Sequence, residues 1–269
     1  MSVVTVSRGS YSRGKEVAEK VAQGLGYECI SRDILIDASE QFHIPEIKLI
    51  RAIHDAPSVL NRFTHGKEKY IAYIRSALLK QVKKDNIVYH GLAGHFFLQG
   101  ISHVSKVRVI ADLEDRVREE MERESISAEE ARYTLLKDDE ERRKWGLQLY
   151  GYDTKDSSLY DLVVHIKTKT VDDAVSLVMH AAKLPCYQTT PESQKLVNDL
   201  ALAAEVKAVL VDNFPGSETS AEDGVVSVKV DVPPIQEKQA SEKVRKLAER
   251  VEGVKEVRVH IVPFPLARG

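Results

Sequence analysis

The residues whose types and spacing most clearly point to chemistry are Gly9-Ser10-Tyr11-Ser12-Arg13-Gly14-Lys15-Glu16, a G-x-x-x-x-G-K stretch close to the start of the chain. Glycines at both ends of such a loop let backbone N–H groups turn inward around a phosphate. A following helix N-terminus adds positive potential, and the lysine neutralises β and γ oxygens. Gly9, Ser10, Ser12, Arg13, Gly14, Lys15 and Glu16 are the candidate phosphate-binding residues, with Lys15 also a candidate catalytic cation. The position after the lysine ordinarily carries a Ser or Thr hydroxyl that helps hold Mg²⁺. Here it is Glu16, so magnesium would travel mostly with its nucleotide and water, with Ser12 as a substitute hydroxyl. The same spacing also suits a strand-to-helix turn that binds nothing.

Two histidines merit the same weighing. His90 and His95 flank the end of an apolar run, but they are five residues apart and no third ligand is evident. A metal site would need two or three ligands on one face, so no metal-ligating set is assigned. His90 is instead a candidate contact for a substrate phosphate, because ligands of open α/β sheets bind beyond the carboxyl ends of the strands.

The elements needed to hold these residues are legible. Val3–Val6 is a short apolar strand, and Val17, Ala18, Val21, Ala22 and Leu25 fall on one helical face that Gly26 terminates. Glu28–Ile30 is a second strand. Tyr70, Ile74, Ala77 and Leu78 mark a helix, Asn86–Tyr89 a buried strand, Leu92–Leu98 a short helix and Val107–Ala111 another strand. Glu114–Arg123 and Ala128–Leu149 are highly charged helices, Leu162–Ile166 is a strand, and Val171–Leu184 a helix. Strands alternating with helices predict a mostly parallel sheet covered on both faces.

The pattern then changes. Residues 185–193 (PCYQTTPES) are predicted to be a linker between a domain at 1–184 and a smaller α+β unit at 194–265. In the latter, Leu196–Val211 is helical, residues 212–224 are a turn-rich loop, Val225–Val232 is a strand, Ala240–Val251 a helix and Val257–Val262 a strand.

Composition narrows the function. Against 39 Lys and Arg stand 41 Asp and Glu, a net charge of −2 without a basic arm, so nucleic acid is not an expected partner. The apolar share of 43% with 30% charged residues is that of a folded globular protein. Cys29 and Cys186 form no CxxC pair, and nothing approaches a membrane span or a secretory leader. The expected setting is the cytoplasm.

SRGSYSRGKEVAEKVAQGLGYECISRDIL resembles the start of the cytidylate kinase-like family, a branch of the P-loop nucleoside monophosphate kinases. In that family a Glu also follows the basic residue of the loop, as Glu16 does here. VRVIADLEDRVREEMERESISAEEA, KDDEERRKW and SLYDLVVHIKTKTVDDAVSLV are similar to its later segments, in order, so the resemblance covers about residues 1–183. It implies a P-loop parallel sheet with helices on both faces, ATP and Mg²⁺ as cofactors, and a lid within Glu114–Leu149. Lid arginines stabilise the charge of the transferring phosphoryl group. Arg132, Arg142 and Arg143 are the candidates, of which Arg132 and Arg142 are assigned as catalytic, and Asp139-x-x-Arg142 matches the family's lid signature. Without the resemblance the same segment reads as a solvated helix laced with ion pairs. Arg32 and Asp33 occupy the acceptor-binding positions after the second strand, whereas Ser31 replaces an aspartate and Leu92 an arginine that would grip a phosphate. The acceptor is left open: a nucleotide or another small molecule.

Residues 194–265 resemble the BON domain family: helix LVNDLALAAEVKAVL, strand VVSVKVDV, helix ASEKVRKLAERVEGV and strand KEVRVHIV follow its order. The resemblance implies a module that binds phospholipid or mediates association with a protein partner or a second copy; association is the preferred reading. The slightly negative charge offers no attraction to anionic lipid, so membrane binding is not expected. The resulting expectation is an ATP-binding kinase-like protein that transfers phosphoryl groups to a nucleotide or other small acceptor. The competing class is a non-catalytic nucleotide-binding regulator acting through the BON-like module. Glu16, Ser31 and Leu92 favour the regulator; Lys15 and the lid pattern favour the enzyme.

Overall fold

The structure, a computed structural model, describes residues 2–9, 13–31, 33–43, 66–91 and 94–263. Five strands, β1 (Val3–Arg8), β2 (Glu28–Ile30), β3 (Ile87–His90), β4 (Val104–Ala111) and β5 (Leu162–Ile166), form one sheet in the order β2-β3-β1-β4-β5. Every pairing in it is parallel. Its strands are joined by helices, as parallel neighbours require. These are α1 (Gly14–Leu25), α2 (Asp33–Phe42), α3 (Gly66–Val82), α4 (Gly94–Phe97), α5 (Leu113–Glu124), α6 (Ala128–Tyr150) and α7 (Val171–Ala182).

Alternation along β1 divides the core. Val4 and Val6 pack with Val17, Ala18 and Val21 of α1 and Ala174 and Val178 of α7. Val3 faces the other way, toward Ile34 of α2, Leu78 and Leu79 of α3 and Phe96 of α4. Both faces of the central strands β1 and β3 are therefore dry, which explains why they read as continuous apolar runs.

A second sheet of three strands follows: β6 (Glu218–Glu222), β7 (Val225–Val232) and β8 (Glu256–Pro263). Strands β6 and β7 are antiparallel, β7 and β8 parallel, with helix α9 (Glu237–Ala248) as the crossover. Before them runs α8 (Pro191–Leu210), which belongs to both cores. Its Val197, Ala201, Ala204 and Ala208, with Val211 just beyond, join the first core, while Val206 and Leu210 join the second. The 197-201-204-208-211 spacing is a helical stripe, and its alanines let α8 approach α3 closely. A helix buried on two sides needs apolar residues around most of its girth, as α8 has.

Three sequence expectations change in detail. The polar stretch ETSAE, read as loop, is the edge strand β6. Every one of its residues is exposed or half-buried, so hydrophobic alternation could not show it. Its signal was the Asp223-Gly224 turn, at φ 51° and 87°, a favoured hairpin pair. Helix α8 begins at Pro191, where Thr190 and Ser193 form a capping box. The stretch 185–193 is correspondingly tied down: Thr189 Oγ1 donates to Asp85 at 2.6 Å, and Ser193 Oγ lies 2.7 Å from Nδ1 of the fully buried His103. Helix α2 carries no assignment in the sequence reading. Among the described residues no helix is long and apolar enough to cross a membrane.

Candidate functional site

The G-x-x-x-x-G-K stretch lies where β1 meets α1. The Gly9 N–H donates to the Val109 carbonyl at 3.4 Å, which ties the loop's first residue to β4. Arg13 is the N-cap residue of α1 at φ 58°, and its carbonyl accepts the Val17 N–H at 3.0 Å. Gly14 opens the helix so close to β1 that a Cβ there would sit 2.7 Å from Arg8 Cβ. Glycine at 14 is therefore a requirement of close approach. It brings the helix N-terminus down onto the strand end, as phosphate cradles need. Ser10 and Ser12 lie outside the described residues.

Lys15 is exposed, its Nζ 3.7 Å from Glu19 Oε1, and so is available to a ligand. Glu16 turns along the helix to Lys20, 3.1 Å away, and Lys20 also holds Asp172 at 2.9 Å. The carboxylate that replaces the usual hydroxyl is thus balanced by a cation one turn on and aims away from the loop. Arg13 places its guanidinium on Glu119 of α5, and that bond holds its pKa above the ordinary value.

Helices α5 and α6 form the charged hairpin. Ser127 caps α6 in a capping box with Glu130, fixing the turn. Arg116, almost fully buried, donates to Asp139 at 2.8 Å and locks one helix to the other. Farther along α6, Arg142 Nη1 donates to the Arg8 carbonyl at 3.3 Å, beside the entrance to the loop. Gly146, about one turn beyond, explains that placement. A Cβ there would meet Thr154 Cγ2 at 2.8 Å, the Tyr152 carbonyl at 3.0 Å and Phe96 Cζ at 3.6 Å. This end of α6 is clamped onto α4 and the returning loop.

Of the expected site residues, the structure brings Gly9, Arg13, Gly14, Lys15 and Arg142 together. It does not bring Arg132: that side chain is on the surface, paired with Glu114, ten residues or about 15 Å along the helix from Arg142. Arg143 pairs with Glu140 at 2.8 Å and Asp153 at 3.3 Å, which raises its pKa further above the arginine range. Asp139 accepts a hydrogen bond from Arg116 of the facing helix. His90 ends β3 beside Val6 and is buried. Asp33 begins α2, with its side chain outside the described residues, as are Arg32 and Leu92 altogether. Among the described residues no cluster of three or more His, Cys, Asp or Glu is placed to hold a metal.

Sequence reasoning missed two cations. Arg116 is the buried half of the hairpin lock. Arg108 stands in the middle of the apolar strand VSKVRVIA, and a charge in such a run was the available signal.

The model of the cytidylate kinase-like family matches residues 3–168. The cytidylate kinase of Thermococcus kodakarensis is 28% identical over 103 residues, 38% of this chain and 52% of that protein, so the chain spans about half the length of this relative. The cytidylate kinase of Ignicoccus hospitalis is 28% identical over 165 residues, 61% of this chain and 90% of that one. Among solved structures, an uncharacterized protein from Eubacterium ventriosum shares the fold over 68% of this chain and 98% of its own, at 18% identity and a TM-score of 0.53. With well over half its length matched, from β1 through the hairpin to the end of β5, the chain belongs to the cytidylate kinase-like family.

Proposed function

We propose that the protein transfers the γ-phosphoryl group of ATP to the hydroxyl or phosphate oxygen of a small acceptor, in the manner of a nucleoside monophosphate kinase. The observation that carries the proposal is the convergence of a lid arginine and the phosphate loop: Arg142 reaches the carbonyl immediately before Gly9. In this reading backbone N–H groups at the start of α1 hold phosphate oxygens, Lys15 spans the β and γ oxygens, and Arg142 meets the charge that builds during transfer. The bond formed joins acceptor oxygen to Pγ, and the bond broken joins Pγ to the bridging oxygen that leaves with ADP; a hydroxyl acceptor also gives up its proton to solvent. Magnesium, when bound with ATP, neutralises β and γ charge. The close approach at Gly14 suits a phosphate cradle, and Glu16, committed to Lys20, does not oppose the anion.

Residues 194–265 act, in the same proposal, as a BON-like association module in a cytoplasmic protein. The succession α8, β7, α9, β8 keeps the helix-strand-helix-strand order of the resemblance and supports this reading, with β6 an added edge strand. A groove of about 400 Å³ between α3, α8 and β6, lined by Arg75, Lys195, Leu200, Ala203 and Thr219, offers a surface for a partner. One observation favours the regulatory alternative. Helix α8 lies in both cores, so a change at α3 would be felt by the second sheet.

The test is thermal unfolding with and without Mg-ATP. A ligand that binds only the folded state raises the melting temperature, by about 2.7 kcal/mol of stabilisation at a hundredfold excess over Kd. Lys15→Ala should remove most of the rise. An equal rise in the variant would take Lys15 out of the site, and no rise in either protein would defeat nucleotide binding.

A further inference from the structure

We propose that Arg108 is an oxyanion-binding residue, and that the open edge of its guanidinium beside the phosphate loop receives the anionic group of the phosphoryl acceptor. The inference rests on the kinase reading and adds to it the acceptor's chemistry: a phosphate monoester or a carboxylate.

The position comes first. Arg108 pairs in register with Ser7, two residues before Gly9, and the next residue, Val109, accepts the Gly9 N–H. Alternation from Val104 sends its side chain to the α3 and α4 face, away from Val107 and Val109, which pack under α1 and α7. Arg108 therefore stands at the root of the loop.

The side chain is held, and held from one corner. Its Nη1 donates to the Thr154 carbonyl and, at 2.9 Å, to Tyr160 Oη, while the guanidinium carbon lies 5.2 Å from the centre of the Tyr160 ring. Tyr160 is itself fixed, donating to the Thr154 carbonyl at 3.0 Å with Ser7 Oγ 3.4 Å away. A guanidinium carries five N–H donors. These contacts engage only Nη1, so the Nη2–Nε edge keeps its donors, and that is an edge that forks onto two oxygens of a carboxylate or phosphate.

Charge points the same way. Lys106, on the same face, pairs with Asp161 at 3.0 Å. Arg116, Arg132 and Arg143 also have carboxylates. Among the described residues no carboxylate pairs with Arg108, which is half-buried. A partly desolvated cation without a counter-ion is costly unless an anion completes it.

A second polar group beside the arginine also lacks a partner. His95 is 4% exposed, with Nε2 3.4 Å from Tyr160 Oη and Nδ1 without a hydrogen-bond partner among the described residues. With the Tyr160 proton given to Thr154, the network assigns the imidazole proton to Nε2 and leaves Nδ1 a bare acceptor. Burial, aided by Arg108 and Lys106, pulls the His95 pKa to about 3, so the ring stays neutral and adds no second positive charge. An anion on Arg108 with a hydroxyl or amine nearby would satisfy both groups.

The experiment compares the full chain with its Arg108→Met and Arg108→Lys variants by titration calorimetry. The probes are the ribonucleoside 5′-monophosphates and inorganic phosphate on one side, and quinate and gluconate on the other, with Mg-ATP titrated separately. The wild type should bind at least one probe. Arg108→Met should weaken that probe by about tenfold or more, the worth of a charged hydrogen-bonded contact. Arg108→Lys, which keeps the charge and loses the fork, should lie between, and Mg-ATP affinity should hold within about twofold. Loss confined to the phosphates or to the carboxylates identifies the acceptor's anion. Probe affinity unchanged in Arg108→Met, or Mg-ATP binding with no probe bound by the wild type, would overturn the inference. Arg108-dependent probe binding without Mg-ATP binding would uphold it while removing the kinase reading.

Discussion

Gly14→Ala places a single methyl group at the point where α1 touches β1. The added Cβ would lie 2.7 Å from Arg8 Cβ and 3.1 Å from Arg8 Cδ, the first about 1 Å short of an ordinary carbon–carbon contact. Arg8 Cβ is fixed to the strand backbone and cannot swing aside, so the start of α1 must lift from the sheet. Overpacking of this kind costs about 1–3 kcal/mol. If the junction holds, the cost appears as lost stability, roughly 2–4 °C of melting temperature per kcal/mol for a chain near this size. If the loop moves to relieve the clash, the amides leave the phosphate and Mg-ATP affinity falls by about 5- to 150-fold. Calorimetric unfolding and Mg-ATP titration of the same variant capture both. Gly216→Ala is the control, since a Cβ there meets nothing within 4 Å. A Gly14→Ala protein with wild-type stability and wild-type affinity would refute the close approach on which the cradle depends.

Other expectations concern the rest of the molecule. Ser193→Ala removes the partner of fully buried His103, whose Nε2 already has none among the described residues, and should cost about 1–3 kcal/mol, seen as a drop in melting temperature. An unchanged melting temperature would show that α8 is not anchored through this contact. His95 gives a pH dependence of fixed sign. Its folded pKa, about 3, lies below the unfolded value near 6.5, so the unfolded chain takes up the proton first. Its contribution is complete above pH 6.5 and is lost as pH falls from there toward 3, at up to about 1.4 kcal/mol per pH unit. His95→Asn should flatten the stability profile in that window, and an unaltered slope would mean that another group titrates there.

Much of this arrangement was legible in the residues. The strand before Gly9 and the amphipathic run after Lys15 predict β1 and α1, and apolar runs alternating with helices predict the parallel sheet. What escaped depended on partners distant in sequence. The strand β6 is polar because it is an edge, and only β7 makes it a strand. Residues 185–193 are composed like a linker, yet Asp85 and His103, a hundred or so positions earlier, hold them. In the site, Arg142 was found through its family signature, but Arg132 was equally suggestive, and only the course of α6 separates the two. Arg108 was hidden because its role depends on Tyr160, Thr154 and His95 meeting at one place, which no local pattern records.

In the proposed function, the loop at Gly9–Lys15 and Arg142 form one phosphoryl-transfer site. The most direct measurement is the rate of γ-phosphoryl transfer from labelled Mg-ATP across a panel of mononucleotides and hydroxy acids, for the wild type and for Arg142→Ala. The wild type should phosphorylate at least one acceptor. Arg142→Ala should lower kcat by about 10³-fold or more while its Mg-ATP affinity stays within about threefold, because the arginine acts on charge that develops during transfer. Undiminished transfer by Arg142→Ala, or no transfer to any acceptor by a wild type that binds Mg-ATP, would contradict the proposed function.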